Sequence, residues 1–298
     1  MTSSGIPENP NDAITASEMT STTIASTQPI QKRPNAFTEL MAPKKLKASE
    51  PSKMAHKLST FPGRDGLGAY ITHPESSPRV IQYNDSFVLI RDLYPKASIH
   101  LLLLPRDPVI NQTHPLEAFN LYPEFLAEAK KMVKDDIIPL AAAELRRMYG
   151  KESASDREYQ DALAERMISP ASVAASPHAP TPVPTESSLS KGRDWAKEIR
   201  VGVHGHPSMS HLHIHILSRE MHSQTMKHYK HYNSFNTPFF VELDDFPLKE
   251  GDPRLEPDKH MFIRSDFVCW RCGKRFPREK FKRLKEHVED EFEVWKRE

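Results

Sequence analysis

Apolar residues are sparse through residue 57 and then fall into short, regularly spaced groups. Val80–Tyr83 and Phe87–Arg91 read as two strands on either side of Asn84-Asp85-Ser86, a hairpin pattern. His100–Pro105 carries four consecutive leucines and has the length of a buried strand. Between Leu116 and Met148 the period changes: Phe125, Met132 and Val133 recur at helical spacing, and Pro123 and Pro139 are expected to break the stretch into more than one helix. Residues 199–203 resume a strand, and 239–243 form another candidate. Residues 208–218 alternate strictly, with Leu212, Ile214 and Ile216 on one side. Near the C-terminus, Phe281, Leu284, Val288, Phe292 and Trp295 mark the apolar stripe of a helix. About five or six strands with segregated helices predict an α+β fold with a mainly antiparallel sheet.

Two stretches fall outside this pattern. Residues 1–57 are rich in Ser, Thr, Pro and Lys and predict a disordered tail. Within it, 35–41 form an apolar island suited to a protein partner, and Lys44-Lys45-Leu46-Lys47 fits a nuclear localisation signal. Residues 150–192 are read as a low-complexity insertion, tolerable because loop closure costs little extra with length. These breaks divide the chain into 1–57, a main domain over 58–245, and a C-terminal module over 246–298.

Composition narrows the classes. With 298 residues and 38% hydrophobic content the chain can bury a good core. The net charge of +1 means that any nucleic-acid footprint is local. Both cysteines lie in Cys269-x-x-Cys272, which excludes a disulfide scaffold and predicts a reducing compartment. No apolar run approaches the 18 residues of a membrane span. Residues 1–19 hold Glu8, Asp12 and Glu18 and no Lys or Arg, unlike a secretory signal. A soluble intracellular protein is the expectation.

The alternation of 208–218 places His211, His213 and His215 together, opposite the apolar side. Neutral imidazole is both a nucleophile and a proton carrier near pH 7. The same row also fits zinc ligation or polar residues on a solvated strand. The second constellation is Cys269, Cys272, His287 and Glu291. The cysteines form a knuckle, and the last two, four apart, share one helix face. Zinc accepts thiolate, imidazole and carboxylate, so a structural zinc site is expected there. Between Phe262 and His287, nine Lys or Arg stand against three acids, with Trp270 and Phe276 interleaved. Such a local excess, including Arg271, Lys274 and Arg275, suits a phosphate backbone.

The run from His211 through Leu217 resembles the signature of the histidine-triad (HIT) nucleotide hydrolases and transferases. Its flanks, His204-Gly-His-Pro-Ser-Met-Ser-His211 before and His231-Tyr-Asn-Ser-Phe-Asn-Thr-Pro-Phe-Phe240 after, look like the aprataxin branch. Glu291 in the last ligand position matches the fungal form of that branch. The resemblance implies a HIT-like fold and removal of AMP from 5′-adenylated nicked or blunt-ended DNA in single-strand break repair. It makes His213 the nucleophile, with His211 and His215 orienting it and binding phosphate oxygens. Lys96 and His100 would contact phosphate, His204 the leaving-group side, and Asp92 the ribose hydroxyls. Ser208 and Ser210 can add donors at the phosphate. Ser234, Asn236 and Thr237 match DNA-backbone contacts, and the segment around Leu67 and Tyr70 matches a wedge against the terminal base pair. A monomer is expected, located in the nucleus or in both nucleus and cytoplasm. Two rivals stand beside this reading: a HIT hydrolase of small phosphoramidates or dinucleotides, and a non-catalytic zinc-dependent DNA-binding protein.

Overall fold

The structure is a computed structural model and describes residues 64–168 and 192–298, the side chains of 163–168 and of 258 excepted. The expected tail, its 35–41 and 44–47 motifs and the low-complexity centre of the insertion lie outside the described residues.

A six-stranded sheet organises the chain: β1 (Val80–Tyr83), β2 (Phe87–Arg91), β3 (His100–Pro105), β4 (Ile199–His204), β5 (Ile214–Ser218) and β6 (Phe240–Glu242), in the order β1-β2-β3-β5-β4-β6. Every pairing is antiparallel. The β1–β2 hairpin is closed by Asn84, whose side chain accepts from the Ser86 and Phe87 N–H groups, the usual asparagine turn. The period of two sends Phe87, Leu89, Leu101, Leu103, Ile214 and Ile216 to one face. There they meet α2 (Pro115–Leu121), α3 (Pro123–Met132) and α4 (Ile138–Tyr149) in the main core.

Pro123 divides the helical region as expected, standing at the start of α3. Pro139 does not: a π-helical segment, Val133–Ile137, leads into α4 with Pro139 in its first turn. Proline lacks an N–H, and widening the preceding turn lets the helix run on without it.

The fold extends further into the expected insertion than low complexity suggested. Helix α5 (Ala154–Ile168) begins there, and Asp156 is buried. Its carboxylate accepts from Trp195 Nε1 (2.7 Å), Arg146 Nη2 (2.9 Å) and the Arg193 N–H (3.0 Å). Burial works to raise this carboxyl, but those donors hold it below the ordinary carboxylate range.

The opposite sheet face is also covered. At one end, α1 (Gly68–Thr72) and Leu67 pack on Val88, Ile90, Leu102 and Leu104. At the other, α6 (Tyr229–Asn236) and the C-terminal module pack on Leu217 and Phe240. Gly202 makes this closure possible, since a Cβ there would sit 2.3 Å from the Val241 carbonyl and 2.8 Å from the Phe240 ring.

The C-terminal module is a two-stranded knuckle, β7 (Phe267–Val268) and β8 (Arg275–Phe276), followed by α7 (Phe281–Arg297). Its helix does not stand apart from the rest. Leu284 and Val288 join the α6 cluster, whereas Phe292 and Trp295 enter the main core. Trp295 packs edge-on against Trp195 and Tyr149, and Phe246 and Leu248 lie in that core too. The division at 245/246 therefore does not separate two hydrophobic cores.

Candidate active site and metal centre

The histidines gather on the second sheet face, between the α1 and α6 clusters. Regular pairing in β5 starts only at Ile214. Upstream, the Leu212 N–H donates to the Asn111 carbonyl at 2.7 Å, which holds the His211–His213 backbone beside the sheet. Leu212, Ile214 and Ile216 are buried in the main core as the alternation requires, but His213 and His215 are also buried. The expected half-solvated strand is thus covered on both faces.

Hydrogen bonds assign the protons in this cluster. His213 Nδ1–H donates to the His211 carbonyl at 2.8 Å, so the Nε2 lone pair of the neutral ring faces outward from that bond. The Lys96 N–H donates to His100 Nδ1 at 3.1 Å. Neutral His100 therefore carries its proton on Nε2, which lies 3.0 Å from His215 Nδ1 and 3.5 Å from Asp92 Oδ2. Donation to His215 Nδ1 leaves the His215 proton on its own Nε2. Nε2 of His215, Nε2 of His204 and Nδ1 of His211 are buried with no hydrogen-bond partner among the described residues. Leaving such a group unpaired costs about 1–3 kcal/mol, so these atoms mark a place for a polar ligand.

Electrostatics keeps the imidazoles neutral. Burial pushes His100 down to about 4 and His204 and His215 well below the ordinary imidazole value. Burial also lowers His213, against its bond to His211 and the Asp92 charge. Lys96 is pushed down to about 8, chiefly by burial, and its ammonium donates to the Tyr94 carbonyl. Burial works to raise Asp92, but His100, Lys96 and the Tyr94 N–H together hold it below the usual carboxylate range. The site thus offers an unprotonated nitrogen at His213, a donor at His215, a cation at Lys96 and a carboxylate at Asp92. That set suits displacement at an anionic centre with a hydroxyl-bearing group held alongside.

Several neighbours are not evident from motif spacing. Phe235 on α6 packs against the His100, His204 and His215 rings at 5.5, 4.6 and 5.2 Å. Glu220, fully buried, accepts the Ser98 N–H, and Ser218 Oγ accepts the Ile99 N–H at 3.0 Å. These bonds pin the loop that carries Asp92 and Lys96. Gly68 lets α1 close on His211, because a Cβ there would lie 3.1 Å from the imidazole. Gly68, Ser218 and Glu220 carry no motif spacing of their own, so only tertiary packing reveals their part.

Other expected positions turn inward. Ser234 is fully buried on α6 and donates to the His231 carbonyl, so its side chain is closed to a DNA backbone. Asn236 and Thr237 are half-buried and donate to the Tyr232 and Asn233 carbonyls, finishing the helix. Ser208 is half-buried in the loop before the triad, and Ser210 is exposed with its N–H given to the Arg64 carbonyl. Of the wedge segment, Leu67 is buried and Tyr70 half-buried.

The C-terminal cluster comes together as the spacing predicts. One ligand atom each from Cys269, Cys272, His287 and Glu291 lies within 4.8 Å of the others. Cys272 Sγ stands 3.1 Å from His287 Nε2, itself 3.3 Å from Glu291 Oε1. Glu289 pairs instead with His222, and Glu286 faces Lys282. Two sulfurs, an imidazole and a carboxylate at this spacing fit a tetrahedral zinc ion. Arg271 is not a free cation here, since it pairs with Glu291 at 2.6 Å and with Glu298. Lys274 and Arg275 are exposed. Asp92, His100 and His215 form a second group of close donors, but two of its nitrogens already share a hydrogen bond. His211 and His213 belong to neither group, contrary to zinc ligation by the triad.

Comparison with known proteins places these sites in context. The HIT domain family matches residues 73–222, and the C2HE / C2H2 / C2HC zinc-binding finger family matches residues 236–294. An aprataxin-like protein of Schizosaccharomyces pombe is 31% identical over 270 residues, covering 89% of this chain and 96% of that one. An aprataxin-like protein of Saccharomyces cerevisiae is 31% identical over 237 residues, covering 77% and 95%. The crystal structure of the aprataxin ortholog Hnt3 in complex with DNA matches with a TM-score of 0.57 and 31% identity, over 78% of this chain and 96% of that one.

Proposed function

This chain belongs to the histidine-triad family, in its aprataxin-like branch, and we propose that it is a hydrolase that removes AMP from 5′-adenylated DNA. The observation that carries the reading is the proton arrangement at His213. Its Nδ1–H is committed to the His211 carbonyl, which leaves Nε2 to attack the adenylyl phosphorus. In the first step the new N–P bond forms as the bond from phosphorus to the DNA 5′-phosphate oxygen breaks, and the 5′-phosphate departs. Water then attacks the adenylyl-histidine phosphorus, the N–P bond breaks, and AMP leaves with His213 restored.

Two easier displacements replace one difficult one. The His215 Nε2–H and the Lys96 ammonium stabilise charge on the non-bridging oxygens. His204, beside His215 at 4.5 Å between rings, faces the leaving-group side. Asp92 holds the ribose hydroxyls and so favours a ribonucleotide.

DNA as the substrate carrier draws support from the Hnt3–DNA complex and from the exposed Lys274 and Arg275 beside the cysteine knuckle. Zinc bound by Cys269, Cys272, His287 and Glu291 would cross-link the knuckle to α7 and take no part in the reaction. The test is AMP release from a 5′-adenylated nicked duplex against a free adenylated dinucleotide at matched concentrations. Strong preference for the duplex is expected. Equal or better turnover of the dinucleotide would establish the small-molecule hydrolase instead.

A further inference from the structure

We propose that α6 couples the cysteine knuckle to the catalytic histidines, with Tyr232 and Asn233 as its positioning residues. Tyr232 Oη donates to the Val268 carbonyl at 3.1 Å and accepts the Trp270 N–H at 3.0 Å. These two backbone groups flank Cys269. Asn233 Nδ2 donates to the carbonyls of Ile263 (3.0 Å) and Ser265 (2.8 Å), just ahead of the knuckle. Both side chains are almost fully buried, and the four hydrogen bonds that they make are themselves part-buried.

Phe235, within one turn of both, is the ring packed against His100, His204 and His215. One short helix therefore grips the metal knuckle through hydrogen bonds and the imidazoles through an aromatic face. A displacement of the knuckle backbone moves the Phe235 ring, and the tightly packed imidazoles must move with it. The sequence-based division into a catalytic domain and a separate zinc module predicts no such coupling.

The experiment compares full-length zinc-loaded wild type with Tyr232→Phe. The substitution keeps the ring and removes only the hydroxyl, leaving the Val268 carbonyl and the Trp270 N–H unpaired. The first readout is zinc transfer to a chromophoric chelator, expected to be roughly tenfold faster from the variant, given the two part-buried hydrogen bonds that it removes. The second is the ¹⁵N-histidine ring spectrum, in which the His204 and His215 signals are expected to shift. The third is kcat on a small adenylated nucleotide, expected to fall several-fold at unchanged KM.

Faster zinc loss with unmoved ring signals would overturn the coupling, as would unchanged zinc retention. If Tyr232→Phe yields no folded protein, Asn233→Ser, which deletes the two bonds to Ile263 and Ser265, carries the same expectations. Only the kcat readout rests on the proposed hydrolase. The zinc and spectral readouts need no substrate, so failure of this inference and failure of that reading are distinguishable.

Discussion

Truncating Trp295 measures how far the catalytic fold depends on the helix that also carries the metal ligands. The side chain is 1% exposed. Its ring lies edge-on to Trp195 at 5.9 Å and to Tyr149 at 5.6 Å, and Arg193 sits over it at 4.7 Å. The indole N–H donates to Glu198 at 2.8 Å, and Glu198 keeps a second partner in Arg193 at 3.2 Å. Trp295→Ala therefore leaves a large cavity without stranding a charge. The cost is about 3–5 kcal/mol, a large share of the roughly 5–15 kcal/mol that holds a typical domain. For a fold of this size that lowers the melting temperature by about 6–20 °C. Thermal unfolding should be followed by circular dichroism, by zinc release and by residual AMP-releasing activity. All three are expected to move down together in one transition. A variant in which zinc release shifts but activity melts where the wild type does would refute a shared core. So would a stable, active chain ending at Leu248.

The remaining predictions concern the chemistry and the surface. His213→Ala should abolish AMP release, a loss of several powers of ten, while adenylated duplex still binds; rapid turnover by that variant, or failure to trap an AMP adduct on wild type, would sink the covalent route. Lys96 is depressed to about 8 by burial, so kcat/KM should decline as pH rises through about 8 and the ammonium is lost; Lys96→Gln should remove that limb along with most of the activity. Lys274→Ala with Arg275→Ala should weaken duplex binding and flatten the log–log salt dependence by about 0.9 for each phosphate that the variant no longer neutralises, with turnover of a small adenylated nucleotide unchanged. Asp156 has a depressed pKa in the fold, so its stabilisation is complete above the ordinary carboxylate range and is lost as pH falls through the folded value. Asp156→Asn should accordingly lower the melting temperature at pH 7 and make little difference in strong acid.

The strands are legible in the sequence because their signals are local. Val80–Tyr83, Phe87–Arg91 and His100–Pro105 pair where period and turn residues indicate, and Cys269, Cys272, His287 and Glu291 converge as knuckle and helix spacing demand. What stays illegible depends on partners distant in sequence. Asp156 looks like one more acid in a polar stretch until Trp195 and Arg193 arrive. Arg271 reads as a phosphate clamp by composition, yet Glu298 and Glu291 reach it first. Ser234 sits in a polar-looking run that forms a helix buried from both sides, because the knuckle packs over it. Burial of the triad itself escapes the pattern for the same reason: alternation reports one apolar face and is silent about what covers the other.

The placement of Phe292 and Trp295 also bears on how the chain reaches its native state. The β1–β2–β3 meander forms from neighbours in sequence, but Trp295 meets Tyr149 and Trp195 only after long loops have closed. Contacts of such separation reward the chain late, after closure entropy has been spent. On that ordering, consolidation of the core would wait on the docking of α7, and its peeling would be the first event of unfolding. Substitutions along the 284–295 stripe should consequently act on the escape rate from the folded state more than on the rate of reaching it. The helix that presents His287 and Glu291 would serve, in kinetic terms, as the latch of the whole catalytic fold.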